Sequence, residues 1–160
     1  METETLTFRK ADASDLDAVT AIYEKLHAEE DAGRAVIGWV TDVYPIRYDA
    51  EQALARNDLY LCETEGKIAA SGIVNQTQVD VYADGRWAYP AADDAVLVLH
   101  TRTVDPDFSG RGIGPYKKPR EIAAQTRQRN FIDSLKFIKY GGLRKWQDLH
   151  GQRNARTGSW

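Results

Sequence analysis

Apolar and polar residues alternate along Leu6-Thr-Phe-Arg-Lys, a period of two that predicts a short first strand over residues 6–10. The period then lengthens. Leu16, Val19, Ile22, Tyr23 and Leu26 fall at helical spacing, with Ser14 placed as N-cap and Asp17 as its capping-box partner, so a helix is predicted to run to about His27. Glu29-Glu-Asp-Ala-Gly reads as a solvated turn, and the aromatic-rich residues 36–45 carry only weak periodicity. Ala-rich residues 48–57 predict a second, short helix capped by Asp49. Residues 59–63 and 67–75 are strand-like runs separated by Thr64-Glu-Gly, the pattern of a hairpin with a glycine turn. A polar excursion over residues 79–94 is expected to close over one sheet edge. Ala95-Val-Leu-Val-Leu is apolar at every position, as in a strand buried on both faces, and it continues to Val104 and the loop Asp105-Pro-Asp-Phe.

Chemistry enters directly after that loop. Ser109-Gly-Arg-Gly-Ile-Gly puts glycines at 110, 112 and 114, where the backbone can bend closely around a ligand. Successive N–H groups then point inward and form an anion-binding concavity suited to a pyrophosphate. The loop lacks Gly-Lys-Ser/Thr, so it is not a nucleotide P-loop, and its spacing is not the G-x-G-x-x-G of dinucleotide folds. Beyond Gly114 the periodicity fades. Ile122-Ala-Ala is the only apolar helical patch before Asn130, Pro119 would break a helix starting at the glycines, and a weak strand (residues 131–133) and short helix (residues 143–149) follow.

With 160 residues, 42% of them hydrophobic and 28% charged, the chain is predicted to form one soluble globular domain. An acidic N-terminus without an apolar core segment predicts no secretory signal, and a cytoplasmic location is expected. Cys62, the single cysteine, sits in an apolar strand and reads as a buried residue rather than a reactive thiol. The net charge of −3 hides an asymmetry: residues 1–108 hold 9 Lys/Arg against 21 Asp/Glu, whereas residues 109–160 hold 12 against 3. Such a basic segment attracts anionic ligands, and a change this abrupt also suggests an altered reading frame.

The stretch from Val96 to Gly114, with its strand, Val-Asp-Pro loop and glycines together, resembles the acetyl-CoA motif of the GNAT family of N-acetyltransferases. The preceding order of strand, two helices and hairpin extends the resemblance over about residues 5–114. It implies an α/β chain of α+β type, with a mixed, mostly antiparallel central sheet flanked by helices, forming one domain over residues 1–160. It also implies acetyl-CoA as co-substrate. Main-chain groups of Arg102, Thr103 and Val104 would pair with the pantetheine arm, and Ser109, Gly110, Arg111, Gly112, Ile113 and Gly114 would hold the pyrophosphate. Ser109 departs from the family's usual Gln or Arg, and Pro115 lacks one N–H donor. After Gly114 the family's long helix is not recognisable and its closing strands are expected to be incomplete, which together with the charge jump points to a frameshifted or decayed C-terminal third.

Direct transfer from thioester to amine needs a base and an acid to protonate the departing thiolate. His100 interrupts an apolar strand and is the candidate base, against the plainer reading of a hydrogen-bonded core histidine. Trp146 stands where the family often has its acidic tyrosine, so Tyr140 is the substitute candidate. Acceptor selection would fall to the first two helices and the connection around Trp39 and Tyr44. The acidic Glu24, Glu29, Glu30 and Asp31 would suit a cationic amine, although such a run is more often a solvated face. His27, His100 and His150 have no metal-ligand spacing, and no metal is expected. Three function classes follow: an acetyltransferase acting on a small-molecule or peptide amine, an impaired domain that only binds acetyl-CoA, and nucleic-acid binding through Lys117, Lys118, Arg120, Arg127 and Arg129 beside Tyr116, Phe131 and Trp146. No membrane partner is expected, and a homodimer is an open expectation.

Overall fold

The computed structural model describes residues 5–35, 37–78, 92, 96–111, 113 and 130–133. The chain divides into two compact units, one of residues Met1–Ile73, Thr101–Pro115 and Ser159–Trp160, the other of Val74–His100 and Tyr116–Gly158.

In the first unit, strand β1 (Thr7–Lys10) leads through a single 3-10 turn (Ala13–Asp15) into helix α1 (Leu16–Asp31). Asp12, not Ser14, caps this start. Its carboxylate accepts the Ser14 N–H at 2.8 Å, and its own N–H donates to Asp15 at 2.8 Å. Ser14's hydroxyl is itself held by Asp12, so the stronger charged acceptor upstream wins the capping position. Asp15 is further bound by the Arg9 guanidinium at 2.7 and 2.8 Å, and Arg9 also reaches Glu63 of the neighbouring strand at 2.6 Å. The hydrogen bonds from Arg9 hold the Asp15 carboxyl below the usual carboxylate range.

Helix α1 continues past His27 to Asp31, so the acidic run read as a turn is helical, and the turn begins at Ala32 and Gly33 (φ 70°). Carboxylates at a helix C-terminus oppose the macrodipole, but here each has an outside partner. Glu29 takes two bonds from Arg34 at 2.9 Å, Asp31 accepts the Thr41 hydroxyl at 2.9 Å, and Glu30 accepts the N–H groups of Ile37, Gly38 and Trp39 at 3.3, 2.7 and 3.3 Å. Helix α2 (Arg47–Ala55) starts one residue earlier than its pattern suggests. Asp49 lies inside its first turn and reaches back to accept the Ile46 N–H at 2.8 Å, rather than standing at the cap.

Strands β2 (Leu59–Thr64) and β3 (Lys67–Asn75) form the expected hairpin. Its turn residues Glu65 (φ 52°) and Gly66 (φ 70°) both take positive φ, the type I′ geometry that matches strand twist. β1 lies antiparallel to β2. Leu59 and Leu61 of β2, with Ile73 of β3, pack under Val19 and Tyr23 of α1 and Ala50 and Ala53 of α2. The opposite alternation turns Cys62 and Ala70 toward Phe108 and Ile113. Burial pushes the Cys62 thiol up, in keeping with a packed rather than reactive cysteine.

β4 (Val96–Val104) runs through both units. Its C-terminal half lies against β3 in the first unit, where Ser71 and Thr103 join hydroxyls at 2.6 Å and the Asp105 N–H donates to Ala69 at 2.9 Å. In the second unit its first half pairs in parallel with β5 (Asn130–Asp133), from Val96 opposite Asn130 to Leu99 opposite Asp133. The strand order is β1-β2-β3-β4-β5, antiparallel except for this last pair, as the resemblance implies. Among the described residues no helix is long and apolar enough to cross a membrane. The polar excursion over 79–94, apart from Ala92, lies outside the described residues, as do Gly112, Gly114, Pro115, Pro119, Ile122, Tyr140, Trp146, the helix of 143–149 and the basic residues 117–129.

Candidate functional site

β4 changes character at its middle. Val96, Leu97, Val98 and Leu99 are buried, and the ladder with β5 ends at Leu99. Two residues later Thr101 takes φ 44°, a left-handed conformation that a β-branched residue rarely adopts and that costs on the order of 1–3 kcal/mol. The Thr101 hydroxyl is hydrogen-bonded to the Tyr44 phenol. Tyr44 is held in turn by an isolated bridge to Val40 and by the edge of Trp39, whose ring centroid lies 6.3 Å away at 90°. The residues that fix this position, Glu30 and the 37–39 backbone, were not legible as a group from the sequence.

Beyond Val104 the chain is clamped before it reaches the glycines. Asp105 is buried, accepts the Asp107 N–H at 2.9 Å and caps a 3-10 turn over Pro106–Phe108. Lys25 of α1 bridges to Asp105 at 2.9 and 3.0 Å and to Asp107 at 2.6 Å. Hydrogen bonding to Asp107 and then Asp105 raises the Lys25 ammonium, and Lys25 holds the Asp107 carboxyl down. Phe108 and Ile113 are buried at either end of the loop, and Ser109, Gly110 and Arg111 between these two apolar anchors are exposed.

Of the predicted pyrophosphate residues, Ser109, Gly110 and Arg111 are exposed. Gly110 takes φ 80°, which explains the glycine there, and its N–H is not used by a hydrogen bond among the described residues. The Arg111 guanidinium stacks over the Phe108 ring at 5.1 Å, with Glu65 at the limit of ion pairing, 4.0 Å away. An exposed left-handed glycine turn beside a guanidinium fits an anionic phosphate group. Arg102 and Val104 are half-buried, and Thr103 turns its hydroxyl inward to Ser71.

His100 is half-buried in the second unit. Its Nε2 lies 3.1 Å from the Asn75 side-chain oxygen and 3.1 Å from the Thr77 carbonyl. The Asn75 oxygen also accepts the Thr77 N–H at 2.9 Å, which fixes the amide orientation. Both of these groups are acceptors, so Nε2–H donates to them. Of the acidic residues, Glu29, Glu30 and Asp31 are engaged as described, and Glu24 is exposed. Replacing Glu30 by Ala leaves three backbone N–H groups of the connection without their acceptor, and an expected loss of about 1–3 kcal/mol in stability is measurable by denaturant unfolding.

No protein-family model matches the chain, and no curated protein does. Solved structures do. A GNAT-family acetyltransferase from Listeria monocytogenes superposes with a TM-score of 0.60 at 15% identity, covering 85% of each chain. One from Streptococcus agalactiae gives 0.59 at 22% identity, covering 68% of this chain but only 63% of that one, less than two-thirds of its length. A GNAT-like decarboxylase, GphF, in complex with isobutyryl-CoA gives 0.50 at 19%, covering 75% of this chain and 58% of that chain. These are likenesses of fold, an α+β architecture. The fold of this chain is the GNAT fold.

Proposed function

We propose that the chain is an acyl-CoA-dependent N-acetyltransferase that moves the acetyl group of acetyl-CoA to a primary amine of a small molecule or peptide. The observation that carries this reading is the loop after β4: a buried strand delivers, through the Asp105-capped turn, a left-handed glycine and a stacked guanidinium to the surface. The GNAT fold supports it, and so do the sequence motif over residues 96–114 and the anion-binding chemistry of the turn. The fold alone does not select the chemistry, since a neighbour of the same fold is a decarboxylase.

In this reading Gly110, Arg111 and the loop through Gly114 take the pyrophosphate, and the main chain of Arg102, Thr103 and Val104 takes the pantetheine arm. His100, held through Nε2–H, is the base that keeps the amine neutral in this reading. The acid in this reading is Tyr140, assigned from the sequence alone and outside the described residues. The connection around Trp39 and Tyr44 selects the acceptor. Release of free CoA thiol in the presence of acetyl-CoA and a panel of primary amines (polyamines, amino acids, aminoglycosides and short peptides) is the test. Saturable release that depends on one amine class supports the transferase. A folded chain that binds acetyl-CoA and acetylates none of them leaves only the binding domain.

A further inference from the structure

We propose that Glu65, on the turn between β2 and β3, is the resident counter-ion of the anion loop and competes with the incoming phosphates for Arg111. The proposal rests on the acyl-CoA reading above, in which Arg111 takes the pyrophosphate.

Glu65 is an unexpected residue for its position. It is the first of two left-handed turn residues, with φ 52° before Gly66 at φ 70°. A type I′ turn favours Asn, Asp or Gly there, because a longer side chain meets its own backbone. The Glu65 carboxylate reaches instead to the Arg111 guanidinium, 4.0 Å away. Packing brings the two turns together: Cys62 of β2 and Ala70 of β3 share one apolar cluster with Phe108 and Ile113. A second opposite pair lies beside the first, since the Asp107 carboxyl is held down by Lys25 and, after it, by Lys67 at the start of β3.

A carboxylate beside a guanidinium either holds it ready for a ligand or occupies it. Here the Phe108 ring already positions the guanidinium, at 5.1 Å, so readiness does not depend on Glu65. What Glu65 adds is a negative charge next to the place of the phosphates, which attracts Arg111 and repels the ligand. The pair is exposed, with 43% of the Arg111 side chain and 59% of the Glu65 side chain accessible, so it is weak enough for a polyanion to displace. Glu65 therefore limits the affinity of the loop.

The test is a double-mutant cycle on the full chain, read by calorimetry with acetyl-CoA and in parallel with inorganic pyrophosphate. Glu65→Gln is expected to tighten both by about threefold, the scale of an exposed ion pair. Arg111→Gln weakens binding, and adding Glu65→Gln to it is expected to leave affinity nearly unchanged, because the competition is for that guanidinium. Glu65→Asn, which also suits the left-handed turn, should give the same tightening at a raised melting temperature, which separates charge from turn strain. Glu24→Gln removes an equal exposed charge from α1 and should tighten neither ligand.

Unchanged or weaker affinity in a folded Glu65→Gln protein overturns the proposal. So does an equal gain from Glu24→Gln or in the Arg111→Gln background, either of which makes Glu65 a general surface charge. A parent chain that binds pyrophosphate but not acetyl-CoA overturns the acyl-CoA reading, while the pyrophosphate arm still decides the role of Glu65. A folded parent that binds neither overturns both.

Discussion

Truncating Leu61 to alanine is expected to remove about 3 kcal/mol of stability, the largest effect of any single change considered for this fold. Leu61 is 1% exposed at the centre of the cluster formed by Val19, Tyr23, Ala50, Ala53, Leu59 and Ile73. Its neighbours come from both helices and two strands, so no single element can shift to fill the space. Alanine loses the transfer free energy of the missing methyl groups, and the remaining cavity adds to it. Denaturant unfolding should show the midpoint falling with little change in slope. A loss below about 1 kcal/mol would mean that the helices are not packed on the sheet in this way.

The second large effect concerns function. Asp105→Ala removes the cap of the Pro106–Phe108 turn and the carboxylate that Lys25 grips from α1. The cap contributes about 1 kcal/mol to stability. The greater consequence is expected in affinity for acetyl-CoA. The turn sets where Gly110 and Arg111 stand, and charge-assisted hydrogen bonds to phosphate depend on that geometry. A weakening of roughly tenfold or more, measured by calorimetry at unchanged secondary structure, is the expected result. Lys25→Met leaves the Asp107 N–H on the Asp105 carboxylate and should weaken binding less. Equal affinity in the Asp105→Ala protein would show that the turn does not position the anion site.

Much of this architecture is legible from residue patterning. The hairpin was readable because Glu65 and Gly66 form the two-residue loop between two apolar runs. The buried half of β4 was readable because four consecutive apolar residues require cover on both faces. Helix ends were less so, since Asp12, Ser14 and Asp15 are all competent capping residues and only the ion pair with Arg9 decides among them. The extension of α1 to Asp31 depends on partners at Arg34, Thr41 and residues 37–39, none of which local propensity weighs.

The site divides in the same way. Glycines after a strand are a local signal, and Gly110 takes the positive φ that the signal implies. The Lys25–Asp105 clamp joins residues 80 positions apart, and the Tyr44–Thr101 pair joins residues 57 apart. Neither pair has a periodicity to betray it. The conformation of Thr101 is still less visible, because a threonine in a strand pattern predicts extended backbone. His100 was singled out as a polar interruption, and its orientation comes from an Asn75–Thr77 turn that the sequence did not flag.

Calorimetric titration of the purified 160-residue chain with acetyl-CoA, beside a Gly112→Glu variant, tests the central claim most directly. The account predicts saturable one-to-one binding by the parent and its loss when a carboxylate is placed in the phosphate loop. A folded parent chain that takes up no acetyl-CoA, or a variant that binds it equally well, contradicts the account.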